Sequence, residues 1–129
     1  MHIQKLLFAV ALTVSPMMAL AHGPEGHNAI GLNGGQTADA DGHHVELVVK
    51  DRSIVFYVTG ETDRPESTKA AVASVIYLAN GVSKTVALVA EEPNRLAAKL
   101  DAPVSAGTKM VITGKLADGH DLQARFVSK

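Results

Sequence analysis

Beyond residue 42, hydrophobic and polar residues alternate along much of the chain with the two-residue period of β-strands. In His43–Lys50 (HHVELVVK), Val45, Leu47 and Val49 fall on one face, and His44, Glu46 and Lys50 on the other with Val48. Asp51-Arg52 then turns the chain into Ser53–Thr59 (SIVFYVT), and the pair reads as a hairpin. Ala70–Ala79 suits a helix by its alanines, but Val72, Val75, Ile76 and Tyr77 favour a strand. Asn80-Gly81 follows directly and is a strong hairpin signal, with Val82–Val89 as the partner. There Val82, Val86 and Leu88 share a face, with Lys84 as the exception. Leu96, Ala98 and Leu100 share another face, and Lys109–Thr113 and Asp121–Val127 flank the turn Asp118-Gly119. Gly60–Ser67 and Ala102–Gly107, with Pro65 and Pro103, read as loops, and Pro93 breaks the pattern at Glu91–Asn94.

These runs predict about seven strands at the spacing of a sandwich, joined by hairpins with no helical crossover. The expected fold is all-β: an antiparallel β-sandwich like those of immunoglobulin or fibronectin-III domains, with an open β-barrel as the alternative. Phe56, Ile76, Leu88, Ile112 and Phe126 are the expected core.

The start of the chain follows other rules. Residues 1–21 place Lys5 ahead of the apolar run Leu6–Val14, broken by Pro16 and followed by Ala19-Leu20-Ala21. This is the order of a secretory signal peptide cleaved after Ala21, and the run is too short to span a membrane. Residues 22–42 hold Gly23, Gly26, Gly31, Gly34, Gly35 and Gly42 with almost no large apolar side chain. They read as a flexible arm that joins the domain near Gly34-Gly35, ahead of the sandwich at 43–129. The product is expected to be exported, most consistently to a Gram-negative periplasm, with no membrane span in the mature chain.

Composition narrows the chemistry. The 129 residues are one domain's worth of chain. The absence of cysteine excludes disulfides, thiolate metal centres, a cysteine nucleophile and a lipoprotein anchor. A formal charge of −1 leaves no basic footprint for nucleic acid, and 4% aromatics leave no stacking surface. No nucleophile elbow, phosphate-binding glycine loop or HExxH motif is present, so no enzyme is expected. After cleavage Met110 is the one methionine left, which removes a thioether copper(I) site.

Histidine is what remains. After cleavage His22 becomes the first residue, offering an α-amine and an imidazole to one metal. Such nitrogen ligands suit copper(II). His27 adds an imidazole from the same arm, and Pro24 blocks the third backbone nitrogen of a peptide-type copper site. His43 and His44 point to opposite faces of a strand and so do not share a metal, whereas His44 and Glu46 share a face and supply half of a site. His120 reads as a surface residue in a hairpin turn. The expected metal ligands are therefore His22, His27, His44 and Glu46.

Asn33-Gly34-Gly35-Gln36, His43-His44-Val45-Glu46-Leu47-Val48-Val49 and Ile54-Val55-Phe56-Tyr57-Val58-Thr59 together resemble a known pattern. It is the HGG–spacer–HxELV–turn–hxhYhxD pattern of small periplasmic β-sandwich proteins. A similar segment stands near the start of the adaptor (membrane-fusion) subunits of heavy-metal efflux pumps. The likeness covers residues 22–60, with Asn33 where the pattern has His and Thr59 where it has Asp. The resemblance implies a periplasmic accessory protein in metal homeostasis or efflux. It would bind a transition metal, copper(II) if any, by reversible coordination, with a heavy-metal efflux complex or another envelope protein as partner. The alternative expectation is a metal-free protein-interaction module of the envelope.

Overall fold

The alternation resolves into nine strands in a computed structural model of the chain, which describes residues 29–129. The strands are β1 (Gln36–Ala40), β2 (His43–Lys50), β3 (Ser53–Gly60), β4 (Val72–Ala79), β5 (Val82–Ala87), β6 (Val89–Glu91), β7 (Arg95–Lys99), β8 (Lys109–Lys115) and β9 (Asp121–Val127). All pairings are antiparallel, in a five-stranded sheet ordered β1-β2-β3-β7-β6 and a four-stranded sheet ordered β5-β4-β8-β9. The fold is all-β and the sheets stay open, so it is a sandwich and not the alternative barrel. Within it, β2-β3-β7-β6 has the A-B-E-D order of an immunoglobulin constant-type sandwich, and β4-β8-β9 has its C-F-G order. β1 and β5 each add a strand at an edge. No helix of the described residues is long and apolar enough to cross a membrane.

The core is the meeting of the two inward faces. Val45, Leu47, Ile54, Phe56, Val58 and Leu96 come from the first sheet, and Val75, Tyr77, Met110, Ile112, Leu122 and Phe126 from the second. Phe56 and Phe126 join the layers with ring centroids 5.7 Å apart, tilted at 52°. Phe56, Leu88, Ile112 and Phe126 are buried as their patterns suggest, but Ile76 is not. It is 38% exposed, because β4 turns Ala73, Val75 and Tyr77 inward and Ile76 and Leu78 outward. Both faces of that strand are apolar, so its own sequence cannot choose between them.

Two further elements differ from the sequence reading. The run Val82–Val89 is two strands in two sheets. β5 ends at Ala87, Leu88 is buried with its amide donating to the Ala73 carbonyl at 2.9 Å, and Val89 begins β6 opposite Ala97. β1 lies within the stretch read as the arm: it starts directly after Gly34-Gly35, and Ala40 is buried. The two-residue turn Asp41-Gly42, both at positive φ (46° and 77°), joins β1 to β2. That turn and the β8–β9 turn lie at the same end of the sandwich.

Candidate functional site

His43 is the first residue of β2 and continues the inward alternation of Val45 and Leu47. It therefore closes the core at the end of the sandwich and is buried. Its neighbour is the β8–β9 turn. There Gly119 adopts φ 89°, the Leu116 amide donates to the His120 carbonyl at 2.9 Å, and the Gly119 amide donates to the Leu116 carbonyl at 3.0 Å. Asp118 fixes His120 twice: the His120 amide donates to Oδ1 at 2.9 Å, and the imidazole Nδ1 lies 2.8 Å from Oδ2. The rings of His43 and His120 meet edge to face with centroids 5.1 Å apart.

Ligand atoms of His43, Asp118 and His120 all lie within 4.8 Å of one another. Hydrogen bonding sets which ring nitrogen each imidazole presents. A carbonyl and a carboxylate can only accept. His43 Nδ1, 3.1 Å from the Asp41 carbonyl, therefore carries the proton, as does His120 Nδ1 beside Asp118. Each neutral ring then offers its Nε2 lone pair, and such outer partners are what orient metal-binding histidines. His43 Nε2 stands 3.9 Å from Glu66 Oε2. Buried polar side chains tie the loop that carries Glu66, and the neighbouring β6–β7 turn, to the first sheet. The Thr68 hydroxyl lies 3.1 Å from both the Glu91 and Arg95 carbonyls, and Asn94 Nδ2 donates to the Val58 carbonyl at 3.0 Å. Asp41 completes the acidic surround, its Oδ2 accepting from the Asp121 amide at 3.3 Å.

The electrostatics of the exposed part are simple. The Asp118 hydrogen bond, and then its charge, raise the His120 pKa above the ordinary imidazole value. The His120 backbone amide, and then its side chain, hold the Asp118 carboxyl below the usual carboxylate range. Two imidazoles among carboxylates form a hard-to-borderline nitrogen and oxygen donor set, suited to copper(II), zinc or nickel rather than copper(I).

Of the four residues expected from sequence, the two that the structure describes, His44 and Glu46, stand on another face. His22 and His27 lie outside the described residues. His44 points away from His43, onto the outer face of the first sheet, where its Nδ1 is 2.7 Å from Asp39 Oδ1. Glu46 is buried on that same face and organises a loop. Its Oε1 accepts from the Asn33 and Gly35 amides, both at 2.8 Å, and its Oε2 accepts from Asn33 Nδ2 at 2.9 Å. His44 and Glu46 do line one groove, but the carboxylate is already engaged by the Asn33-Gly34-Gly35 turn. Sequence reasoning missed His43, Asp118 and His120 as a group. The signal for His43 was a polar residue on the apolar face of its strand, which is the informative kind of exception. Nothing in the pattern said that the β8–β9 turn sits over that strand end.

Fold and site together define a β-sandwich with a histidine–carboxylate cluster at one end. No family model, curated protein or solved structure matches this chain.

Proposed function

We propose that this protein is an exported metal-binding protein that holds a divalent transition metal by reversible coordination, with copper(II) the leading candidate. The observation that carries the reading is the convergence of His43, Asp118 and His120 at the end of the sandwich. His43 and His120 supply imidazole nitrogen, and Asp118 either ligates or orients His120. Glu66 is the nearest further oxygen donor to His43. Burial of His43 favours one bound geometry, and the exposure of His120 leaves a path for exchange with solvent or a partner. The protein performs no bond chemistry in this reading. Export to a periplasm is supported by the leader-like order of residues 1–21. Delivery to or from a heavy-metal efflux complex rests on the resemblance of residues 22–60.

The test is a calorimetric titration of Cu(II) and Zn(II) into the purified protein and its His120→Ala and His43→Gln variants. Submicromolar binding of one equivalent, weakened at least tenfold by His120→Ala, is the expected result. Binding that neither variant changes would overturn this site. No binding at all would leave the metal-free interaction module as the better reading.

A further inference from the structure

A sheet edge presents a row of unpaired amides and carbonyls, and proteins usually blunt it. Three of the four edges of this sandwich are blunted. β1 is covered by the chain before it: Ile30 bridges Gln36, and the Thr37 amide donates to the Ala29 carbonyl at 3.2 Å. β9 is tied to β1 at both ends, by Gln36 Nε2 donating to the Val127 carbonyl at 2.6 Å and by the Asp121 amide donating to Asp41 Oδ2 at 3.3 Å. β6 is three residues long and runs into Glu92 and Pro93. β5 has none of these devices. Its six residues, VSKTVA, hold one charge and no proline, and all but Val86 are exposed. Among the described residues, no strand pairs with its outer edge.

The ladder to β4 fixes which backbone groups of β5 are free. The Leu88 amide donates to the Ala73 carbonyl, and Ala79 and Val82 face each other across the two-residue hairpin. Hydrogen bonding alternates along an antiparallel strand, so Val82, Lys84 and Val86 turn their backbone groups toward β4. Ser83, Thr85 and Ala87 turn theirs outward. This row is its own complement. With Thr85 opposite Thr85 of a second copy, Ser83 of each meets Ala87 of the other, and all the outward amides and carbonyls of the three are paired. Lys84 then faces Val86 of the second copy. A register that sets Ser83 opposite Thr85 would bring the two Lys84 side chains directly opposite each other and leave Ala87 unpaired. Like charges so placed destabilise a strand pair.

We infer that β5 is a dimerisation edge: two copies of this chain pair β5 antiparallel about Thr85 and join their four-stranded sheets into one. The contact is two-fold, so it consumes the open edge of both copies and closes at the dimer. No ligand of the His43–His120 cluster takes part. The edge and the metal site can therefore fail separately.

The test is sedimentation of the purified protein in EDTA, from about 1 µM to about 1 mM, where a monomer–dimer equilibrium is expected. Thr85→Pro removes an amide from the seam and no hydrogen bond from the β4 ladder. It should weaken dimerisation about tenfold or more with the far-UV spectrum unchanged. Thr85→Lys places like charges opposite each other and should weaken it as well, most at low salt. That variant decides the matter if the proline variant does not fold. The chain has no cysteine, so cross-linking can read the register. Under mild oxidation Thr85→Cys should form a covalent dimer much faster than Ser83→Cys. A protein that stays monomeric over this range, a dimer that Thr85→Lys leaves intact, or equal cross-linking at the two positions overturns the inference.

Discussion

At the scale of single residues, Glu46 is the polar side chain on which a whole turn depends. Removing its buried carboxylate takes the partner from three donors of Asn33 and Gly35 on a half-exposed turn. Glu46→Ala is therefore expected to cost about 1–3 kcal/mol, read as a lowered urea midpoint at constant slope. The glycines of that turn separate by cause. A Cβ at Gly35 would stand 2.2 Å from the Leu47 carbonyl oxygen, backbone that cannot swing aside. At Gly34 there is open space, and only the positive φ of 79° resists substitution. Gly35→Ala should be much the more damaging of the two, with Gly34→Ala costing about 1 kcal/mol. The His120–Asp118 pair makes a prediction about pH. The raised His120 pKa means that its contribution to stability is full below the unfolded imidazole pKa and fades as pH rises through the folded one. The lowered Asp118 pKa means that its contribution is present above the unfolded carboxyl pKa and fades as pH falls through the folded one. The pair is thus intact between ~4 and ~6.5. Asp118→Asn should bring the NMR-titrated His120 pKa back toward its ordinary value. Both groups are exposed, so the effect on overall stability is expected to be small.

At the scale of elements, legibility followed the turns. β2 and β9 have the limits read from their alternation, and Asn80-Gly81 adopts the paired positive φ (51° and 77°) that its hairpin requires. Gly81→Ala is expected to cost about 1 kcal/mol. It should quicken amide exchange in β5 while leaving the His43–His120 cluster unchanged, as observed by NMR. Where both faces of a strand are apolar, as in β4, or where one run serves two sheets, as at Leu88, local sequence had no means to decide. Burial there is set by neighbours far away in the chain. β1 was obscured for the opposite reason: QTADA carries no large apolar residue, and its place comes from pairing with β2. The candidate site was less legible than the fold, because His43 and His120 are brought together only by the packing of one sheet on the other.

At the scale of the whole molecule, a metal that binds the folded cluster and not the unfolded chain must raise thermal stability. A hundredfold excess over Kd corresponds to about 2.7 kcal/mol. For a domain of about 100 residues, that raises Tm by on the order of 10–20 °C. Differential scanning calorimetry with and without Zn(II) should show the rise, and His120→Ala should abolish its larger part. The cluster also joins distant parts of the chain. Asp41 of the first turn and Asp121 at the start of the last strand, bonded across the site, are 80 residues apart. A ribosome makes the chain from its first residue onward, so His43 waits for almost all of the remaining sequence before its partners exist. A chain cut short before the β8–β9 turn would carry His43 and neither Asp118 nor His120. Occupancy of this cluster would therefore report that the first hairpin and the β8–β9 turn have been brought together.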